Sequence, residues 1–192
     1  MNPSVKVKSL KTNSDNLKIP SQEKGNEGNV GKWYEKVLKE KGFEWNPGKG
    51  VDLPGLNVEN KTRKHGSKAP HTITTMTFND IINTDYKDSV FAKKMQQQNR
   101  MKYDNTFNQV LSESVYDFRD PDIQKMLEED YETNRDFFKN SATQPTGTTI
   151  MGDHVIFEHR TSNTYAIRIN DEGMKKFEGM AKSTFNDLFE YK

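Results

Sequence analysis

The sequence of 192 residues contains no cysteine. That absence excludes a disulfide scaffold, a thiolate metal site, a cysteine nucleophile and an iron–sulfur cluster, and leaves the chemistry to oxygen and nitrogen groups. Net charge is nearly absent too, with 29 basic against 28 acidic residues. Strong core formers are scarce: Leu, Ile, Val and Phe together supply 38 of 192 residues, and the mean hydropathy is -1.01. Low hydrophobicity gives disorder only when net charge is high as well, so the balance of charges argues for a folded, very polar domain with one core. No run approaches the roughly 18 consecutive apolar residues of a membrane span. The N-terminal stretch lacks the apolar segment of a signal peptide, so a cytoplasmic protein is expected, with a phage-encoded protein in a bacterial host as one option.

Aromatic residues are missing from the first 32 positions, and residues 1–28 read as a flexible basic arm with five lysines. The domain proper is expected over residues 29–192. Val30, Trp33, Tyr34, Val37 and Leu38 have helical spacing that stops at Gly42. The stretch from Phe43 to Gly55 is a loop rich in Gly and Pro. Residues 56–62 and 71–78 alternate as strands, and KHGSKAP between them suggests an antiparallel hairpin. Residues 88–101 read as a helix. Residues 120–140 read as a better one, with Asp120 as N-cap, Pro121 in the first turn and a stripe through Ile123, Leu127, Tyr131, Phe137 and Phe138. A second hairpin turns near Ser162 and Asn163. The final helix starts near Asp171 and directs Met174, Phe177, Ala181, Phe185 and Leu188 inward. This order predicts a mixed α/β domain.

Charge is segregated within the neutral total. Residues 61–102 carry nine basic and three acidic side chains, whereas residues 113–136 carry nine acidic and three basic ones. A basic face is one consequence, and two solvated segments that pair with each other is another.

The chemistry concentrates between Gly50 and Lys64. Glu59 and Lys61 alternate onto one face of a strand, and Asp52 lies on the loop that feeds it. Two carboxylates beside an ammonium suit phosphodiester hydrolysis, because Mg²⁺ requires hard oxygen ligands and lysine can orient the attacking water. A solvent-facing ion pair on an edge strand is the plainer reading of the same residues. His154 and His159 fall on opposite faces of a strand, which argues against a shared metal, and His65 and His71 flank the turn after the acidic cluster.

Asp52, Glu59-x-Lys61 and the preceding VGKWYE stretch resemble the PD-(D/E)XK nuclease superfamily, in the branch of the mismatch-repair nicking enzyme MutH and related restriction endonucleases. The similarity runs over about residues 28–78 and departs from the family at Asn60, where an apolar residue is usual. The resemblance implies a restriction-endonuclease-like core, with a central mixed β-sheet flanked by helices. It also implies a Mg²⁺-dependent (or Mn²⁺-dependent) endonuclease acting on double-stranded DNA; the lack of a heptad run or long apolar stretch points to a monomer or a transient dimer on DNA. Asp52 and Glu59 would hold metal, Lys61 would act on the water and Glu35 would support the site. Arg63, Lys64, Lys68, Lys93, Lys94 and Arg100 are expected on the DNA backbone. The alternative is a non-enzymatic nucleic-acid-binding or assembly protein on a degenerate version of the fold.

Overall fold

Val30, Tyr34 and Leu38 stand one helical turn apart and are all buried, which gives residues Glu27–Glu40 (α1) a continuous apolar stripe. The helix ends in a Schellman turn. Gly42 takes φ +89 and its N–H reaches the Lys39 carbonyl at 3.0 Å, while the Phe43 N–H reaches the Leu38 carbonyl at 3.1 Å. Phe43 is thereby folded back into the core that holds Leu38. These positions belong to a computed structural model that describes residues 18–20, 27–40, 42–46, 48, 50–106, 108–140 and 149–181.

The remaining elements are strands β1 (Glu59–Lys64) and β2 (His71–Thr77), helix α2 (Phe78–Asn83), a 3-10 turn (Tyr86–Asp88) and helix α3 (Val90–Lys94). Strands β3 (Gln97–Asp104) and β4 (Gln109–Asp117), helix α4 (Pro121–Lys139), strands β5 (Thr149–Met151), β6 (Val155–Thr161) and β7 (Thr164–Ile169), and helix α5 (Asp171–Met180) complete the order. The architecture is mixed α/β, with five helices and two separate sheets among the described residues. None of these helices is long and apolar enough to cross a membrane.

The chain forms two compact units. Among the described residues, the first takes those within 18–67 and 96–117, and the second those within 68–95 and 118–181. In the first unit the strand order is β1-β3-β4, with β1 parallel to β3 and β3 antiparallel to β4. Met101, Tyr103 and Val115 pack with Tyr34 and Leu38 of α1 to form its core. Ile19 is 5% exposed in that core, and its N–H bonds the Asn108 carbonyl beside the Lys18–Gln109 bridge. The chain therefore joins the fold well before residue 28. The rest of the expected arm, residues 1–17 and 21–26, lies outside the described residues.

The second unit has the antiparallel order β2-β7-β6-β5, and β6 and β7 form the expected hairpin, with Ser162 at φ +45 in its turn. Asp120 caps α4 by accepting the Asp122 N–H at 2.8 Å, and Pro121 follows it. Tyr131 and Phe138 of α4 meet Phe157 and Tyr165 at ring separations of 5.3 and 4.8 Å. Phe137, expected in the same stripe, is exposed because it falls one position off that face. Asp130 of α4 accepts the backbone N–H groups of Asp153 (2.8 Å), His154 (2.7 Å) and Val155, which fixes the turn into β6. Met174 and Phe177 of α5 are buried as expected, whereas Phe185 and Leu188 lie outside the described residues.

Three expectations are corrected. Strands β1 and β2 do not form a hairpin: β1 pairs with β3, and β2 pairs with β7 in the other unit. The polar run ENKTRK finds its match in the equally polar QQNR of β3, while the alternating HTITTMT places Ile73 and Met76 in the second core. The helix expected over 88–101 stops at Lys94, because Met101 and Tyr103 then alternate into the first core with strand periodicity. A single central sheet is replaced by the two described above.

Candidate active site

Between Asp52 and Glu59 the chain closes on itself. Leu53 and Val58 exchange both backbone hydrogen bonds, at 2.9 and 3.2 Å, and both side chains are buried in the first core. The four residues inside that pair turn tightly. The Leu56 N–H reaches the Leu53 carbonyl at 3.1 Å and the Asn57 N–H reaches the Pro54 carbonyl at 3.2 Å, with Asn57 in the left-handed region at φ +54. Asn tolerates that conformation better than most residues. Since Leu53 and Val58 turn inward, alternation turns their outer neighbours, Asp52 and Glu59, to the opposite side and places them next to each other. The sequence gap of six residues between the two acids is thus the length of one closed loop.

Two further contacts hold Asp52. Its Oδ2 accepts the Asn60 backbone N–H at 2.9 Å, which lays the carboxylate along the outer edge of β1. Its carbonyl accepts the Asn46 N–H at 2.9 Å, which ties in the preceding Gly-rich loop. Glu59 is 1% exposed, and its Oε1 lies 3.3 Å from Lys61 Nζ. Glu59 and Lys61 are therefore paired on β1, and Asp52 is bonded to the backbone of the residue between them.

Glu35 joins them electrostatically from α1. Gly31, one turn earlier on the same helix, faces β1, where a Cβ would make an ordinary contact at 3.5 Å from Thr62 Oγ1. Burial and then the charge of Asp52 push the Glu35 carboxyl above its ordinary value, against the opposing pull of Lys61 and Lys32. A carboxyl in this state gains by receiving a cation.

The register of β1 on β3 adds residues that were not anticipated. Glu59 stands beside Gln98 and Lys61 beside Arg100 on one face, while Asn60 stands beside Asn99 on the other. Arg100 is 2% exposed and donates to Gln98 Oε1 at 2.9 Å, so it is not a surface phosphate contact as expected. It belongs to the middle strand of a sheet and not to a solvated helix. Arg63 donates to the Ser67 carbonyl at 3.2 Å and Lys64 is exposed at the end of β1. Lys68, Lys93 and Lys94 belong to the second unit. The expected basic set is therefore shared between the two units.

His65 is exposed in the turn after β1. His71, which flanks that turn at its far end, is buried at the start of β2 with Nε2 2.9 Å from Asp171 Oδ1. His154 precedes β6, and His159 contacts the Ser162 carbonyl at 2.7 Å.

Among the described residues no group of three or more His, Cys, Asp or Glu is placed to hold a metal ion. Asp52 and Glu59 are carboxylates, the donor type that Mg²⁺ takes. That ion keeps several waters and takes one or two protein carboxylates together with substrate phosphate oxygens. No protein-family model matches the sequence, and no curated protein sequence matches it.

Proposed function

We propose that the chain is a Mg²⁺-dependent endonuclease that hydrolyses phosphodiester bonds in double-stranded DNA, on a core like that of the PD-(D/E)XK nucleases. The observation that carries this reading is the closed Leu53–Val58 loop, which sets Asp52 and Glu59 side by side with Lys61 Nζ 3.3 Å from Glu59. In the hydrolysis, a water oxygen bonds to phosphorus, one P–O ester bond breaks and the departing alkoxide takes a proton. A divalent cation held by Asp52 and Glu59 would supply Lewis acidity at the phosphate. Lys61 orients the water and faces the negative charge that grows on phosphate. Glu35 adds negative potential that draws the cation in. Arg63 and Lys64, at the end of β1, are the backbone contacts of the first unit.

A second reading is favoured by one observation: the Lys61–Glu59 pair is already closed, with Glu59 buried, as it would be in a non-enzymatic nucleic-acid-binding protein on a degenerate nuclease-like fold. Supercoiled plasmid separates the two. Cleavage in Mg²⁺ that stops in chelator and is lost in Glu59→Ala and Lys61→Ala supports the nuclease. Plasmid binding without cleavage in either Mg²⁺ or Mn²⁺ refutes it. A single site cuts one strand at a time, so an open-circular product should precede the linear one.

A further inference from the structure

Gln97, Gln98, Asn99 and Arg100 are consecutive, all buried, and lie in the middle strand of the first sheet. Such a position normally carries apolar residues, because a buried amide costs free energy unless each of its polar groups is bonded. Here the cost is only partly offset. Among the described residues Asn99 Oδ1 and Asn60 Nδ2 have no hydrogen-bond partner. An apolar strand would serve the sheet better, so the polar residues call for another explanation.

Their contacts supply it. Asn99 Nδ2 donates to Asn60 Oδ1 at 2.8 Å and to Tyr34 Oη at 2.8 Å, and Tyr34 in turn donates to Glu113 of β4. Asn60 is the residue whose own N–H holds Asp52 at 2.9 Å. Gln97, on the same face of β3 as Asn99, directs Nε2 to the carbonyls of Leu56 and Asn57 at 3.4 and 3.3 Å. Those carbonyls lie within the turn between Asp52 and Glu59, which is closed by bonds to the Leu53, Pro54 and Val58 carbonyls. The two amides therefore grip the acidic segment at two points, its turn and the first residue after Glu59.

We propose that Gln97 and Asn99 are positioning residues that fix the separation and aim of the Asp52 and Glu59 carboxylates for a divalent cation, Asn99 through Asn60 and Gln97 through the turn carbonyls. The inference rests on the nuclease reading of the same site. Groups that orient carboxylate ligands change metal affinity by about 10- to 100-fold when removed, without touching the metal.

The test compares the full-length protein with Asn99→Leu and Gln97→Met, both close in volume to the native residue. Asn99→Leu also removes the partnerless acceptor Oδ1, and Gln97, 5% exposed at the start of β3, provides a second variant if the first fails to fold. Mn²⁺ binding is measured by titration calorimetry without DNA, backbone exchange at Asn60 by hydrogen–deuterium exchange without metal, and plasmid binding in chelator. The expected result is Mn²⁺ binding weakened about tenfold or more in each folded variant, with DNA binding in chelator unchanged. Exchange at Asn60 should be faster in Asn99→Leu. If wild type binds Mn²⁺ and the folded variants bind it within twofold, with Asn60 exchange unchanged, the positioning role is wrong and the nuclease reading stands. If wild type neither binds Mn²⁺ nor cuts plasmid, both fall together.

Discussion

Replacing Lys61 by methionine should lower stability in chelator and enlarge the stabilisation that Mg²⁺ provides. The Lys61 side chain is 21% exposed and its Nζ lies 3.3 Å from Glu59 Oε1. At an effective dielectric of ~20, two unit charges at that distance attract by about 5 kcal/mol, most of which is offset by the desolvation of both groups. The measurable quantity is the cost of removing one partner. Lys61→Met takes the cation away from a carboxylate that is 1% exposed, a change of about 3 kcal/mol. In a chain of this size that lowers the melting temperature by about 6–12 °C.

A divalent cation can take the place of the lost ammonium. At a concentration a hundredfold above its dissociation constant it stabilises by about 2.7 kcal/mol, enough to restore most of the loss. Wild type should gain less, because there the metal competes with Lys61 for Glu59. Glu59→Gln should remove the response to Mg²⁺ and cost less in chelator, since Lys61 is partly exposed and can turn to solvent. Thermal melts of the three proteins in chelator and in millimolar Mg²⁺ read this directly. Equal melting of Lys61→Met and wild type in chelator, or an undiminished Mg²⁺ response in Glu59→Gln, would refute the reasoning.

Glu35→Gln bears on the raised Glu35 carboxyl. Its contribution to stability is full below the ordinary value near 4.5 and lost as pH rises through the higher folded-state value, so the variant in chelator should match wild type at pH 4 and exceed it at neutral pH in thermal melts. Asp171 has the opposite sign. Burial pushes its carboxyl up, but hydrogen bonds from His71 and Lys175 outweigh that and hold it below 3.8, so Asp171→Asn should lose stability above that pH and converge on wild type as pH falls through the depressed value. Gly152→Ala drives a Cβ into Asp130 Oδ1 and displaces the carboxylate from its three backbone donors, which should cost about 3 kcal/mol in urea denaturation. Ile19→Ala should cost about 2–4 kcal/mol by the same assay, since Ile19 sits in the first core.

The elements legible in the sequence are those whose signals are local. Helix α1 shows its stripe in Val30, Tyr34 and Leu38 and its stop in Gly42, α4 shows its cap in Asp120 and Pro121, and the β6–β7 hairpin shows its turn at Ser162. Partner choice was not legible, because pairing across a sheet is decided far along the chain. Short connection favours β1 with β2, but burial overrides it and sends each strand to the sheet whose faces match it in polarity. The first half of β3 carries no alternation at all, since Gln97 to Arg100 are polar on both faces. No periodicity analysis would separate that run from an exposed helix, and its continuation through Met101 and Tyr103 is the only strand signal.

The acidic cluster was readable for the same local reason: Asp52, Glu59 and Lys61 fall within ten residues, and one loop closure brings them together. Asn60 was readable only as an anomaly, a polar residue where the resembling family places an apolar one. The structure pairs that anomaly with a second, because Asn60 and Asn99 are partners in register across β1 and β3 and their side chains bond at 2.8 Å. Each amide alone would be a misfit in a buried sheet, and the bond between the two offsets part of that cost. A single polar residue at Asn60, with leucine at Asn99, would leave both amide groups of Asn60 unbonded next to the Asp52 contact. Restoring an apolar residue at both positions, as in Asn60→Val with Asn99→Leu, removes the buried polar groups without orphaning either. The double variant should therefore be at least as stable as Asn99→Leu alone in urea denaturation, and a double variant less stable than the single one would show that the two amides do not compensate each other.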